Sequence, residues 1–257
     1  MGIVGLLMGV WVALGTDILD SYAELLAGAA VVFFFIAGGN ALNDYIDREI
    51  DKVGHPDRPI PSGRMTPATA LKISAACFVI SVAFSVFLNV YSIIIVITAV
   101  GLMLLYELKT KKAGLSGNIT IGLLTAMTFL LGGQMVDQLE RTYILAMLAG
   151  LATLGREIIK DIEDMDADFD RNTLPKRIGK RNASVCAAVA IMAAIALSPE
   201  PFLTDKFGIG YMVMVLVADA IFIYASVVQF RNPRQGQKSA KYGMLVALLA
   251  FLIGGIL

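Results

Sequence analysis

The chain has 257 residues, 57% of them hydrophobic and only 16% charged, with 21 basic side chains balancing 21 acidic ones. A soluble domain carries about a quarter charged residues, so this composition excludes an ordinary water-soluble globule. Apolar runs near the ~20 residues needed to cross a bilayer recur from end to end, which predicts an all-α integral membrane bundle, a single domain over 1–257.

In chain order, the first apolar segment, 1–15, lacks the basic start and small-residue cleavage site of a signal peptide and is expected to form a short first span. The second, 22–43, leads into "NDYIDREID". The third, 67–88, has Pro67 where a first helical turn tolerates it. Further spans are expected at 91–107, 117–136, 141–158, 182–199, 208–230 and 240–257, giving about nine transmembrane helices around a central cavity. Cys77 and Cys186 both sit in apolar stretches and read as buried small hydrophobes rather than a disulfide. Asp219, inside the eighth span near Tyr224, reads as a buried hydrogen-bonded carboxylate rather than a second metal site.

The connections alternate in charge. Those after spans 2, 4, 6 and 8 hold Arg48, Arg58, Arg64, Lys109, Lys112, Lys160, Arg177, Lys180 and other basic residues, whereas those after spans 1, 3, 5 and 7 hold little beyond Arg141 and Lys206. By the positive-inside rule the basic face is cytoplasmic. The expected location is the cell membrane, multi-pass, with the acidic clusters described next on the cytoplasmic side.

Two acidic clusters share one spacing. Asn40, Asp44, Asp47 and Asp51 are 4, 3 and 4 residues apart, and so are Glu157, Asp161, Asp164 and Asp168. On an α-helix this places four side chains within one narrow stripe. Lys160 falls where Asn43 falls in the first cluster, and each cluster runs into a basic loop, "RPIPSGR" or "TLPKRIGKR". One D-x-x-D at a helix end is usually a solvated surface; two matched clusters on one membrane face are a stronger signal. A lone Asp at mid-bilayer costs about 2.5–3.5 kcal/mol on insertion scales, so these acids belong in a polar cavity or at the interface. Mutual repulsion there favours cation binding, and hard oxygen ligands suit Mg²⁺, which commonly bridges carboxylates to substrate phosphates. Two clusters could then grip one diphosphate from opposite sides.

Competing chemistries lack their residues. His55 is the single histidine and sits in a loop sequence, "GHPDRP", which disfavours a histidine metal site or triad. No Walker A loop, dinucleotide fingerprint or nucleic-acid-reading motif occurs, so no nucleic-acid partner is expected.

"NDYIDREID" (43–51) resembles the N-D-x-x-D-x-x-x-D signature of the UbiA-type intramembrane prenyltransferases, and "DMDAD" (164–168) resembles their second, D-x-x-x-D signature. "RPIPSG" (58–63) is similar to the segment that follows the first signature. Within that family, "GREIIKDIED" and "HPDRPIPSGR" look most like the archaeal enzymes that prenylate geranylgeranylglyceryl phosphate. The resemblance implies that Asn43, Asp47 and Asp51 face Asp164 and Asp168 across Mg²⁺-bound diphosphate, supported by Asp44 and Asp161. Asp47, Asp51, Asp164 and Asp168 would be the catalytic carboxylates. Tyr106 and Lys109 resemble the family's tyrosine and lysine at the diphosphate, and Arg64 and Lys160 are further candidates there. Lys112, Arg177 and Lys180 are candidates for an acceptor phosphate, unless these cations serve only as topology signals. The chain starts after the family's usual Arg-Pro and Asn, and "FDRNTLP" lacks the customary glycine before Thr173.

The chemistry so implied is Mg²⁺-assisted ionisation of an allylic diphosphate, geranylgeranyl diphosphate, in a dry site among membrane lipid. The hydroxyl of geranylgeranylglyceryl phosphate would capture the cation. An aromatic acceptor of quinone biosynthesis is the alternative within enzymes. A Mg²⁺- or proton-coupled transporter is a remote one, since transport favours acids near the midplane and these collect at one face.

Overall fold

A computed structural model describes residues 2–165 and 172–255. Among these the chain forms α1 (Gly2–Leu14), α2 (Tyr22–Ile46), α3 (Arg48–Gly54), α4 (Pro67–Ser85), α5 (Val90–Leu108), α6 (Leu115–Gln134), α7 (Tyr143–Glu163), α8 (Leu174–Ile178), α9 (Lys180–Leu197), α10 (Glu200–Leu203), α11 (Ile209–Val228) and α12 (Pro233–Gly254). No strand occurs among the described residues. Seven segments are long and apolar enough to span a membrane, and the first, Gly2–Ile46, holds both α1 and α2 around a 3-10 turn. α12 falls outside that set because Lys238 and Lys241 dilute its first half. The nine expected spans therefore correspond to nine long helices among the described residues.

Helix ends follow their local chemistry. Thr66 caps α4, its side chain accepting from the Thr69 N–H, with Pro67 directly after it. Asn89 caps α5 in the same way through Ser92. α12 begins seven residues before the expected position 240, because Asn232 accepts from the Gln235 N–H at 3.0 Å and Pro233 starts the first turn. α7 runs past the expected 158 to Glu163: its acids project along one helical face and leave the backbone ladder intact.

Lipid tails are as apolar as leucine, so helices here associate through close packing rather than through water exclusion. α1 and α6 meet backbone to backbone: a Cβ on Gly9 would lie 2.5 Å from the Phe129 carbonyl, and one on Gly132 would lie 2.5 Å from that of Leu6. α6 and α7 approach similarly at Gly122 and Gly150. α1 thus divides the interior. Leu6 and Val10 pack with Val31, Val96 and Leu131 on one side, and Met8 and Val12 with Phe129, Leu145, Tyr211 and Phe251 on the other. A third core joins α7, α9 and α11 through Ile159, Ile162, Ala187, Ile191 and Phe222. Large apolar side chains such as Phe87, Val79 and Val189 are exposed outside the bundle, as a lipid-facing surface requires.

Asp219 is buried in α11 and accepts a 2.6 Å hydrogen bond from Ser198 Oγ, the arrangement expected of a satisfied intramembrane carboxylate. Tyr224 instead receives the side-chain amide of Gln235. Cys77 and Cys186 are free thiols.

Candidate active site

The first acidic stripe straddles the α2–α3 junction. Asp47 leaves helical geometry (φ −85°, ψ 2°), yet the 4-residue hydrogen-bond ladder continues through it: Asp47 N–H reaches the Asn43 carbonyl and Asp51 N–H the Asp47 carbonyl, each at 2.9 Å. The stripe therefore keeps its register. Asp47 and Asp51 are buried at 7% and 3% exposure, and burying charges at this density requires partners.

Two cations provide them. Lys111 Nζ donates to Asp47 Oδ2 at 2.7 Å and to Glu107 Oε2 at 2.9 Å. Arg58 Nη1 donates to Asp51 Oδ2 at 2.8 Å and, at 3.4 Å, to Asp44 Oδ1 and Asn43 Oδ1. Asn43 Nδ2 completes the network, donating to Asp47 Oδ2 at 3.2 Å and Glu107 Oε1 at 3.3 Å. α5 delivers Glu107 on its last turn, and a 3-10 turn at Thr110–Lys112 swings Lys111 back beneath it.

The second stripe closes α7. Asn118, in the first turn of α6, donates through Nδ2 to Asp161 Oδ2 at 2.9 Å. Its Oδ1 is buried without a hydrogen-bond partner among the described residues. Asp164 caps α7, its N–H on the Lys160 carbonyl at 2.9 Å. Arg156 pairs with Glu157. Asp168 lies outside the described residues. The two halves meet at their loops: Gly114, with φ +68°, precedes α6, and a Cβ there would stand 3.3 Å from the Asn172 carbonyl and 3.4 Å from Arg177. A left-handed glycine is what allows these loops to close on each other.

Of the expected site residues, the structure gathers Asn43, Asp44, Asp47 and Asp51 into one network, and places Asp161 and Asp164 on the second half. The lysine inside the first network is Lys111, whereas Lys109 is exposed at the end of α5. Tyr106 is half-buried beside Glu107. Arg64 bonds within its own loop, to Ser62 Oγ at 2.9 Å and to the Asp57 carbonyl. Lys112, Lys160, Arg177 and Lys180 are exposed on the same basic face. Glu107, Lys111 and Asn118 were not expected. The lone amide at the start of an apolar run is the signal for Asn118, whereas Glu107 and Lys111 pair across a break in helical geometry at Lys109.

Among the described residues no three carboxylate, thiol or imidazole side chains converge as a metal cage. Lys111 and Arg58 each engage one oxygen of the carboxylates they touch, Asp47, Glu107, Asp51 and Asp44. The donor set nevertheless fits a hard divalent cation: every candidate ligand is a carboxylate or carboxamide oxygen, and Asn118 Oδ1 stands buried beside Asp161 with no hydrogen-bond partner among the described residues.

Beneath the acids lies an apolar cavity of 710 Å³ between α1, α6, α7, α9, α11 and α12. Ile121 and Thr153 line it, one turn below Asn118 and about two turns below Asp161 on the same helices. A smaller one of 180 Å³ adjoins it across Ile121, Thr125 and Thr128, against α2 and α5.

A model of the UbiA prenyltransferase family matches residues 3–252. The chain is 40% identical to the digeranylgeranylglyceryl phosphate synthase of Methanothrix thermoacetophila, over 88% of this chain and 84% of that protein. It is 35% identical to that of Methanosphaera stadtmanae, over 91% and 88%. A solved structure of digeranylgeranylglyceryl phosphate synthase superposes with a TM-score of 0.85 at 35% identity, covering 99% of this chain and 93% of that one. The fold also matches that of a UbiA homologue from Archaeoglobus fulgidus bound to DMAPP and Mg²⁺, with a TM-score of 0.74 at 14% identity over 95% and 94% of the two chains. The chain belongs to the UbiA prenyltransferase family and is an intramembrane prenyltransferase of that type.

Proposed function

We propose that the enzyme transfers a geranylgeranyl group from geranylgeranyl diphosphate to the hydroxyl of geranylgeranylglyceryl phosphate, forming the second ether bond of archaeal membrane lipids. The observation that carries this reading is an acidic half-site, Asn118–Asp161, at the head of an apolar cavity, with the Asp47–Lys111 network on the same face. The curated relatives' shared activity supports the choice of acceptor.

Asn43, Asp47, Asp51, Asp161 and Asp164 would hold Mg²⁺, which when bound supplies charge neutralisation to the departing diphosphate. Lys111 adds a buried positive charge at the same place, worth more in a dry site than in water. The apolar cavity keeps water from the allylic carbon while the C1–O bond breaks. The acceptor hydroxyl then forms the new C–O bond, and its proton leaves with the diphosphate, so no side chain need act as a strong base. The positive-inside rule supports a cytoplasmic position for this site, since the loops around it are basic.

The test is purified enzyme with geranylgeranyl diphosphate and geranylgeranylglyceryl phosphate, with Mg²⁺ or with chelator, read by mass spectrometry. The expected result is the diether phosphate, only with metal. Absence of that product from folded enzyme, or prenylation of an aromatic quinone precursor in its place, overturns the proposal.

A further inference from the structure

The 710 Å³ cavity is not uniformly apolar. Arg156 of α7 and Lys238 and Lys241 of α12 line it, with Tyr242 beside them. The two lysines are three residues apart and so share a helix face. Asp219 is the one carboxylate among the described lining residues, and it is engaged by Ser198 rather than by a lysine. The wall thus carries three cations, Arg156 shared with its neighbour Glu157 and Lys238 and Lys241 exposed, against one committed acid.

A lysine near a membrane boundary commonly extends its charge to the interface and serves as an orientation signal. That role needs no companion. Here a second helix brings an arginine to the wall of the same cavity, and among the described residues α12 supplies none to either acidic half-site. Arg156 lies five residues before Asp161, or roughly 7.5 Å along α7. Arg156 therefore adjoins the second half-site, and among the described residues the cavity it lines with Lys238 and Lys241 takes no wall from α2 or α5. An apolar cavity bordered by several cations fits an isoprenoid lipid with a phosphate head.

We infer that Arg156, Lys238 and Lys241 bind the phosphate of the acceptor lipid, with its chain in the cavity beneath them. This rests on the proposed reaction and relocates the acceptor phosphate from the loop cations Lys112, Arg177 and Lys180 to the cations that line the cavity. It also gives the enzyme separate places for its two anionic heads, the diphosphate at the acids and the phosphate monoester at α12.

The test is the double variant K238Q/K241Q, with K238R/K241R as the charge-preserving control. Charge-assisted hydrogen bonds to phosphate are strong enough that losing two raises the acceptor KM about tenfold or more. The KM for geranylgeranyl diphosphate stays within twofold, and the arginine pair restores most of the acceptor affinity. An unchanged acceptor KM refutes the site; a rise in the donor KM instead assigns these cations to the diphosphate and equally overturns the inference. A binding readout keeps this distinct from the reaction itself. Thermal stabilisation of the unmodified enzyme by geranylgeranylglyceryl phosphate should exceed that by its dephosphorylated alcohol, and K238Q/K241Q should erase the difference. If no ether product forms yet that difference appears and vanishes in the variant, the reaction falls and the phosphate site stands. Equal stabilisation by both lipids removes the site.

Discussion

Replacing Lys111 with Met removes the charge that holds Asp47 and Glu107 together while keeping an apolar stem of similar length. Lys111 Nζ lies 2.7 Å from Asp47 and 2.9 Å from Glu107, and its side chain is 3% exposed. At an effective dielectric constant of about 20 each attraction is worth about 6 kcal/mol before desolvation. Desolvating the ions offsets several kcal/mol apiece, so the net contribution is far smaller than that gross figure. Removing one partner is another matter, since it takes the Lys111 charge away from two buried carboxylates, and the expected loss is about 3–5 kcal/mol. The assay is unfolding by SDS titration in mixed micelles, with chelator present. Glu107→Leu added to Lys111→Met removes one of the two buried carboxylates and should recover at least half of the loss, a coupling that a double-mutant cycle reads directly. A Lys111→Met loss below about 1 kcal/mol, or no recovery in the double variant, would refute the account of Lys111 as the buried countercharge.

Other perturbations probe the remaining parts. Asp47→Ala and Asp164→Ala should each abolish product formation while membrane insertion, followed by fractionation, is unaffected; near-normal rates in both would sink the idea of a shared site. Asn118→Leu deprives Asp161 of its 2.9 Å amide donor and should raise the Mg²⁺ concentration for half-maximal turnover about 10–100-fold, as loss of a ligand-orienting partner does. An unshifted metal dependence would remove Asn118 from the site. Gly9→Ala forces a methyl to 2.5 Å from the Phe129 carbonyl and should cost about 1–3 kcal/mol in the same SDS titration. A variant as stable as the parent would mean that α1 and α6 can separate freely.

The helices were legible because an apolar run of about 20 residues is a strong signal, and Thr66-Pro67 marks a start by its own chemistry. So was the first acidic stripe, whose 4, 3, 4 spacing survives the break at Asp47 because the hydrogen-bond ladder does. Lys111 was missed for a backbone reason. The chain leaves helical geometry at Lys109 (φ −137°, ψ −58°) and re-enters as a 3-10 turn, so helical counting does not predict which lysine of "LKTKK" turns inward. Arg58 was visible as a basic residue after the stripe, but only the fold of the 55–63 turns brings its guanidinium onto Asp51. The cavity is drawn from six helices far apart in sequence, and no local period encodes such a surface.

α5 and α7 both end at the acidic face, Leu108 beside the Glu107–Lys111 pair and Glu163 beside Asp161 and Asp164. A helix carries about half a negative charge at its C-terminal end. α6 begins at the same face, with Asn118 in its first turn, and carries about half a positive charge there. The backbone therefore presents both signs at the acids: negative helix ends behind the carboxylates, which draw a cation in, and the positive end of α6 beside Asp161, which favours a phosphate oxygen. The alternation of helix direction sets this pattern, and a substitution at any single aspartate would leave it in place.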